Sequence, residues 1–276
     1  MLFRTPEVMG TLILAVTSLF LYSVGTALQA LHFRGQVHSN IAITTLIGML
    51  ALTAHGLLIT QTIHHDGGVD LGFFKSSVLI SWLIVFLLLG LNLRKPVQSL
   101  FLGAYPLAAF TIIMALITHT PSRLVSDESY GVLSHIALSV TAYSLFSLAA
   151  IQATLLYFQN RQLKQNYNST LLRNLPPLQT MESLLFEMVW AGVVMLILAI
   201  VTGALFIENL FAQNLAHKTV FSLLSLLVFV ALLVGRYTKG WRGMTASRWT
   251  LAGSALLMVA FYGSKFALEL VFQRGG

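Results

Sequence analysis

One stretch of the sequence decides the fold: YGVLSHIALSVTAYSLFSLAA, from Tyr130 to Ala150. It contains no Asp, Glu, Lys or Arg and continues apolar toward Phe158, as a membrane-spanning helix of about 20 residues requires. His135 lies only about one turn inside its start. Burying an imidazole in hydrocarbon is unfavourable unless the ring gains a binding partner. The question is therefore which group or ligand the His135 ring binds.

The composition predicts the same class of protein for the whole chain. Of its 276 residues, 57% are hydrophobic and only 9% are charged, whereas soluble domains carry about 25% charged residues. We therefore expect an all-α, polytopic membrane bundle in contact with the lipid bilayer, with residues 1–276 forming a single membrane domain. There are no cysteines, which excludes disulfides, thiolate metal sites and covalent haem attachment through C-x-x-C-H.

Further apolar runs bring the predicted number of transmembrane helices to about eight. Their bounds lie near Val8–Leu31, Ile41–Thr60, Phe73–Leu93, Val97–Thr118, Tyr130–Phe158, Leu184–Ile207, Lys218–Gly235 and Trp249–Phe272. The segment LQTMESLLFEM, before the sixth run, is amphipathic and is predicted to lie along the membrane interface.

The charges of the loops predict the orientation. Alternate loops carry nine basic residues, namely Arg34, Arg94, Lys95, Arg161, Lys164, Arg173, Lys239, Arg242 and Arg248. The other loops carry mainly acidic residues, namely Asp66, Asp70, Asp127, Glu128 and Glu208. By the positive-inside rule the first set is cytoplasmic, which places both termini outside. The net charge of +7 is thereby explained by topology, and we expect no nucleic acid partner.

Two histidines differ from the rest because apolar residues surround them. His55 lies in LALTAHGLLI, in the outer half of the second span, and His135 lies at the outer end of the fifth. Neutral imidazoles on facing helices are a usual way to hold a haem iron. The alternatives are a zinc or copper site completed by His119 with Asp127 or Glu128, and hydrogen bonds within the fold.

Three ordered pieces carry a resemblance to a known family. They are GVLSHIALSVTAYSLFSLAAIQATLLY, LPPLQTMESLLFEMVWAGVVMLILAIVTGALF and HKTVFSLLSLLVFVALLVGRYTKGWRG. Together they resemble the cytochrome c assembly family, in its small HemX-like or YpjD-like branch. The resemblance implies a bacterial inner-membrane protein that handles haem b near the outer face, with His135, His55 and His119 at family histidine positions and His55 and His135 on the haem iron.

The chain also departs from the haem-attaching members of this family. IENLFAQNLAHKTVF occupies the place of their tryptophan-rich outer loop, and Arg236 stands where related sequences often carry a histidine. We therefore expect no independent haem lyase, and no enzyme. Lys265 either pairs with Glu269 four residues later or contacts a haem propionate.

Two other functions remain open from the sequence. The protein could keep the fold without a cofactor and serve as a partner or regulator of another inner-membrane protein. It could also be a transporter, although neither inverted repeats nor broken spans are apparent in the sequence.

Overall fold

The computed structural model describes residues 6–37, 40–65, 68–70, 72–118, 124–125, 129–165, 174–206 and 216–263. Within these ranges eight long helices follow one another. They are α1 (Pro6–Phe33), α2 (Ile41–Ile63), α3 (Phe73–Asn92), α4 (Phe101–Ile117), α5 (Tyr130–Gln165), α6 (Leu178–Phe206), α7 (Ala216–Lys239) and α8 (Gly243–Met258). A 3-10 turn, Gln98–Leu100, precedes α4, and a π-helical turn, Val259–Gly263, continues α8.

The predicted all-α membrane bundle is confirmed. The helices α1 to α7 are long and apolar enough to cross a membrane, and the described part of the eighth ends at Gly263. The sidedness, with both termini outside, stays a prediction.

The prediction for LQTMESLLFEM was wrong, because this segment is the first part of α6 rather than a separate interfacial helix. Pro177 directly precedes α6, where its fixed φ and missing N–H are tolerated. From there no helix-breaking residue occurs, so the helix runs straight into the span. Its apolar side chains Met181 and Leu185 are fully buried, and the amide of Gln152 on α5 donates to the Met181 carbonyl at 2.9 Å.

The helices group into two compact units, which divide between residues 127 and 128. In the first unit α1 packs on α2 and α4, and α3 packs on the same two helices. In the second unit α5 packs on α6 and α8, and α7 packs on the same two helices. Among the described residues each unit is thus a bundle of four long helices, with the helices in ring order. The single membrane domain predicted for residues 1–276 stays a prediction.

A small antiparallel sheet closes one end of the first unit, and the sequence analysis did not predict it. Its strands are β1 (His64–His65), β2 (Gly68–Asp70) and β3 (Leu124–Val125), in the order β1-β2-β3. Because β2 and β3 belong to different interhelical connections, the sheet places both connections at the same end of the bundle. The positive-inside rule also assigns them to one side of the membrane.

The interior of the second unit is organised around a pair of aromatic rings. Phe146 of α5 and Phe229 of α7 stack with their centroids 3.9 Å apart. A Cβ at Gly192 of α6 would lie 2.8 Å from the Phe146 ring, and one at Gly253 of α8 would lie 2.8 Å from the Phe229 ring. These two glycines therefore let α6 and α8 approach the stacked rings, the kind of close packing by which membrane helices associate.

Candidate functional site

His135 is held at the start of the second unit by the backbone of a neighbouring helix. Its Nδ1 lies 2.7 Å from the carbonyl oxygen of Ala199 on α6. Because a carbonyl oxygen can only accept, Nδ1 carries the proton and, in the neutral ring, Nε2 carries the lone pair. This hydrogen bond fixes both the tautomer and the direction of the ring, as a backbone carbonyl does for metal-bound histidines.

Gly203 makes room for this ring. It lies one turn after Ala199 on α6, and a Cβ there would approach the His135 Cε1 and Nδ1 atoms to 2.9 and 3.0 Å. The imidazole therefore rests against bare helix backbone. Gly203 therefore admits the imidazole against α6.

A cation and an aromatic ring complete the surroundings of His135. Lys218, near the start of α7, lies within electrostatic range of the imidazole. Its Nζ atom sits 5.2 Å from the ring centroid of Phe261, in the π-helical turn after α8. The His135 ring itself is half-buried. An imidazole with a directed Nε2, an ammonium group and an apolar ring thus come together at one end of the unit.

His55 has different surroundings, because its side chain is completely enclosed within the first unit. Its Nδ1 lies 3.1 Å from the hydroxyl oxygen of Tyr22 on α1. Its Nε2 is buried and has no hydrogen-bond partner among the described residues, although the Val78 backbone on α3 lies beside the ring. The imidazole therefore links α2 to α1, and a haem could reach Nε2 only after neighbouring side chains moved.

Tyr105 on α4 extends this buried polar cluster, which the sequence analysis missed. Its ring centroid lies 5.3 Å from that of Tyr22, and its hydroxyl has no hydrogen-bond partner among the described residues. Gly25 and Gly48 leave the space that the Tyr105 side chain fills. Tyrosines far inside a span, rather than at its interface ends, are the sequence signal that could have found the cluster.

The remaining predicted site residues lie outside the described residues. These are His119 and Lys265, together with Asp127 and Glu128 of the alternative metal site. Within the described ranges no three His, Asp or Glu side chains come together as a metal site. His55 and His135 belong to different units, so their predicted shared site stays a prediction.

Comparison with known proteins decides the family. The family described as "Cytochrome C assembly protein" matches residues 43–272, which is most of the chain. The chain belongs to the cytochrome c assembly family. The resemblance stated from the sequence motifs is therefore confirmed.

Two individual proteins are also similar to this chain. The chain is 29% identical over 264 residues to "Inner membrane protein YpjD" of Escherichia coli K12, covering 94% of this chain and 99% of the relative. It is also 29% identical over 195 residues to "Protein HemX" of Brevibacillus brevis, covering 69% and 72%. No solved structure matches it significantly. With its apolar helices, this family member is a multi-pass protein of the bacterial inner membrane.

Proposed function

We propose that the protein binds haem b at the outer end of its second unit, where Nε2 of His135 would hold the iron. The observation that carries this proposal is the 2.7 Å hydrogen bond from His135 Nδ1 to the Ala199 carbonyl oxygen. It leaves Nε2, the usual iron-binding atom of histidine, with its lone pair and a fixed direction.

The surroundings of His135 fit the rest of a haem. The macrocycle is apolar and carries two propionates, so a site needs apolar contacts and a cation at its edge. Phe261 supplies an aromatic face, and Lys218 supplies an ammonium group within electrostatic range of His135. For Lys265 the sequence left a contact with a propionate or an ion pair with Glu269 open, and the contact with a propionate stays a prediction.

His55 supports this proposal less directly. Its enclosed ring hydrogen-bonds Tyr22, which favours a packing role in the first unit. The sequence predicts His55 as the second iron ligand, and to reach a haem its ring would have to become partly uncovered. We keep His55 and His119 in the proposal as candidates for a second residue that would hold the iron.

The proposed role is to hold haem and hand it on, and no reaction is assigned to the protein. When bound, haem supplies a redox-active iron. The chain's own part is to keep the imidazole neutral and directed, to pair a propionate and to shield one face of the ring. Family membership and the similarity to "Protein HemX" support a role linked to cytochrome c assembly. A second inner-membrane protein would then be the partner that receives the haem.

The test is the visible absorption spectrum of protein purified in detergent from haem-replete cells, before and after reduction. We expect a Soret band with sharp bands on reduction for the wild type. His135→Ala should lower the haem content, and added imidazole should restore part of it by occupying the vacated position. The matched control is His32→Ala, which removes a histidine from the last turn of α1 in the first unit, where its Nδ1 lies 3.2 Å from the Val37 carbonyl oxygen and its ring contacts Phe33.

The competing function, a cofactor-free partner of another membrane protein, predicts a different outcome. The wild-type protein would then be colourless, and His135→Ala would change only its stability. That pair of results would overturn the haem proposal. Equal haem loss in His135→Ala and His32→Ala would overturn the assignment of the ligand.

A further inference from the structure

A groove opens between α6 and α7 of the second unit, at the end where α7 finishes. Its volume is about 510 Å³, and it is lined by Ser183, Phe186, Glu187, Trp190, Arg236 and Tyr237. None of these residues belongs to the proposed haem site, which lies at the opposite end of α7. The groove therefore needs an explanation of its own.

Helix geometry places the groove at a membrane boundary. Lys218 and Arg236 lie 18 residues apart on α7, which at about 1.5 Å per residue corresponds to about 27 Å. This is close to the thickness of the hydrocarbon core, about 30 Å. If Lys218 lies at the outer boundary, Arg236 lies at the cytoplasmic one. The groove is then at the level of the lipid headgroups.

Two aromatic side chains of the groove have the character of interface residues. The indole Nε1 of Trp190 donates to the hydroxyl of Tyr237 at 3.2 Å. The two residues are 45% and 72% exposed, which is high for large rings packed on a helix bundle. Trp and Tyr concentrate at membrane interfaces because one part of each ring is apolar and another forms hydrogen bonds. Trp190 and Tyr237 would contact a bound lipid at its glycerol region.

Arg236 supplies an oriented cation to the groove. Its guanidinium carbon lies 4.6 Å from the Phe186 ring centroid, and its Nη1 donates to the Trp241 carbonyl oxygen at 3.4 Å. Stacking on the Phe186 ring fixes the plane of the Arg236 guanidinium. This group has five N–H donors, which is more than the single carbonyl oxygen of Trp241 can accept. A planar guanidinium held in this way matches the geometry of a phosphate group.

The charge at this end of the unit favours an anion. The described basic residues here are Arg161, Arg236, Lys239, Arg242 and Arg248, whereas the acidic ones are Glu182 and Glu187. The Nζ of Lys239 lies 5.9 Å from the ring centroid of Trp241, the residue whose carbonyl oxygen accepts from Arg236. Basic pockets between membrane helices on the cytoplasmic side are a recurring way to bind anionic headgroups.

We propose that this groove binds the headgroup of an anionic phospholipid, with Arg236 on the phosphate and the Trp190–Tyr237 pair against the glycerol region. The excess of basic over acidic residues selects an anionic headgroup over a zwitterionic one. Glu187 sets a limit on the affinity, because its carboxylate lies in the same groove and repels the phosphate.

Native mass spectrometry of the full-length protein in detergent tests the proposal, with phosphatidylglycerol, phosphatidylethanolamine and phosphatidylcholine titrated separately. We expect one phosphatidylglycerol to be retained at concentrations about tenfold below those the other two lipids need. Arg236→Gln should weaken retention of phosphatidylglycerol about tenfold, the effect typical of one charge-assisted hydrogen bond. Glu187→Gln should strengthen it.

The matched control is Arg248→Gln, which removes the same charge from the same end of the unit outside the groove. We expect it to change retention less than about threefold, because exposed charges are screened. Equal losses in the two arginine variants would overturn the groove site in favour of general charge attraction. Equal retention of phosphatidylethanolamine would overturn the anionic preference. If Arg236→Gln does not fold, weaker retention in a stable Glu187→Gln protein would overturn the proposal instead.

Discussion

Gly203→Ala is the substitution that tests the placement of His135 most sharply. The new Cβ would lie 2.9 Å from Cε1 and 3.0 Å from Nδ1 of the imidazole, so the ring must move by a few tenths of an ångström. Because the ring is only half-buried, it can turn outward rather than strain the helices. The cost is then chiefly its hydrogen bond to Ala199, which contributes about 1 kcal/mol.

We therefore expect little net change in the free energy of unfolding for Gly203→Ala, because the loss of about 1 kcal/mol from the hydrogen bond offsets the gain of about 1 kcal/mol from the better helix propensity of alanine. The haem content should nevertheless fall, since the misdirected Nε2 no longer faces the iron. Denaturant titration in micelles and the Soret absorbance measure the two effects.

Gly90→Ala on α3 is the matched control. No heavy atom lies within 4 Å of a Cβ built at Gly90, so this variant should be as stable as the wild type or more stable, with unchanged haem content. The reasoning about His135 fails if Gly203→Ala behaves in both assays as Gly90→Ala does.

Three further predictions concern other parts of the chain. Tyr22→Phe should lower the free energy of unfolding by about 1–3 kcal/mol, because the buried Nδ1 of His55 loses its partner. The haem absorption spectrum of this variant should match that of the wild type. A variant as stable as the wild type would argue against this buried hydrogen bond. Asp70→Asn should lower the free energy of unfolding, measured by chemical denaturation, by about 1–3 kcal/mol, since this nearly fully buried carboxylate pairs with the Lys75 ammonium at 2.6 Å. An unchanged free energy of unfolding would mean that the pair is not formed. Single cysteines at Asn166 and Gly68 should react with an impermeant thiol reagent from opposite sides of the membrane, and labelling of both in intact cells would contradict the predicted topology.

Most of the fold was predictable because membrane spans follow from local composition. Apolar runs located the eight long helices of the described residues, whereas the orientation inferred from the loop charges stays a prediction. The start of α6 was misplaced because its polar residues suggested an interfacial helix. The structure buries Met181 and Leu185 there and satisfies the Gln152 amide on the Met181 carbonyl oxygen. Such a contact between helices is absent from the local hydrophobic pattern.

The site was only partly predictable. Sequence reasoning selected His135 and His55 because they are ionisable residues in apolar segments. It could not find the partner of His135, since the Ala199 carbonyl oxygen is a backbone atom 64 residues away. Nor could it tell that Tyr22, 33 residues before His55, reaches the ring of that histidine. Both partners depend on helix packing, which a single sequence does not specify.

The central claim is that Nε2 of His135 coordinates haem iron, and pulsed electron paramagnetic resonance tests it directly. Ferric protein would be prepared with ¹⁵N-labelled histidine and natural-abundance haem, so that any ¹⁵N coupling to the iron identifies a histidine ligand. We predict such a coupling in the wild type and the loss of the His135 contribution to it in His135→Ala, with any coupling from a second histidine retained. The account is contradicted by wild-type protein that purifies without haem, or by an identical ¹⁵N coupling in His135→Ala.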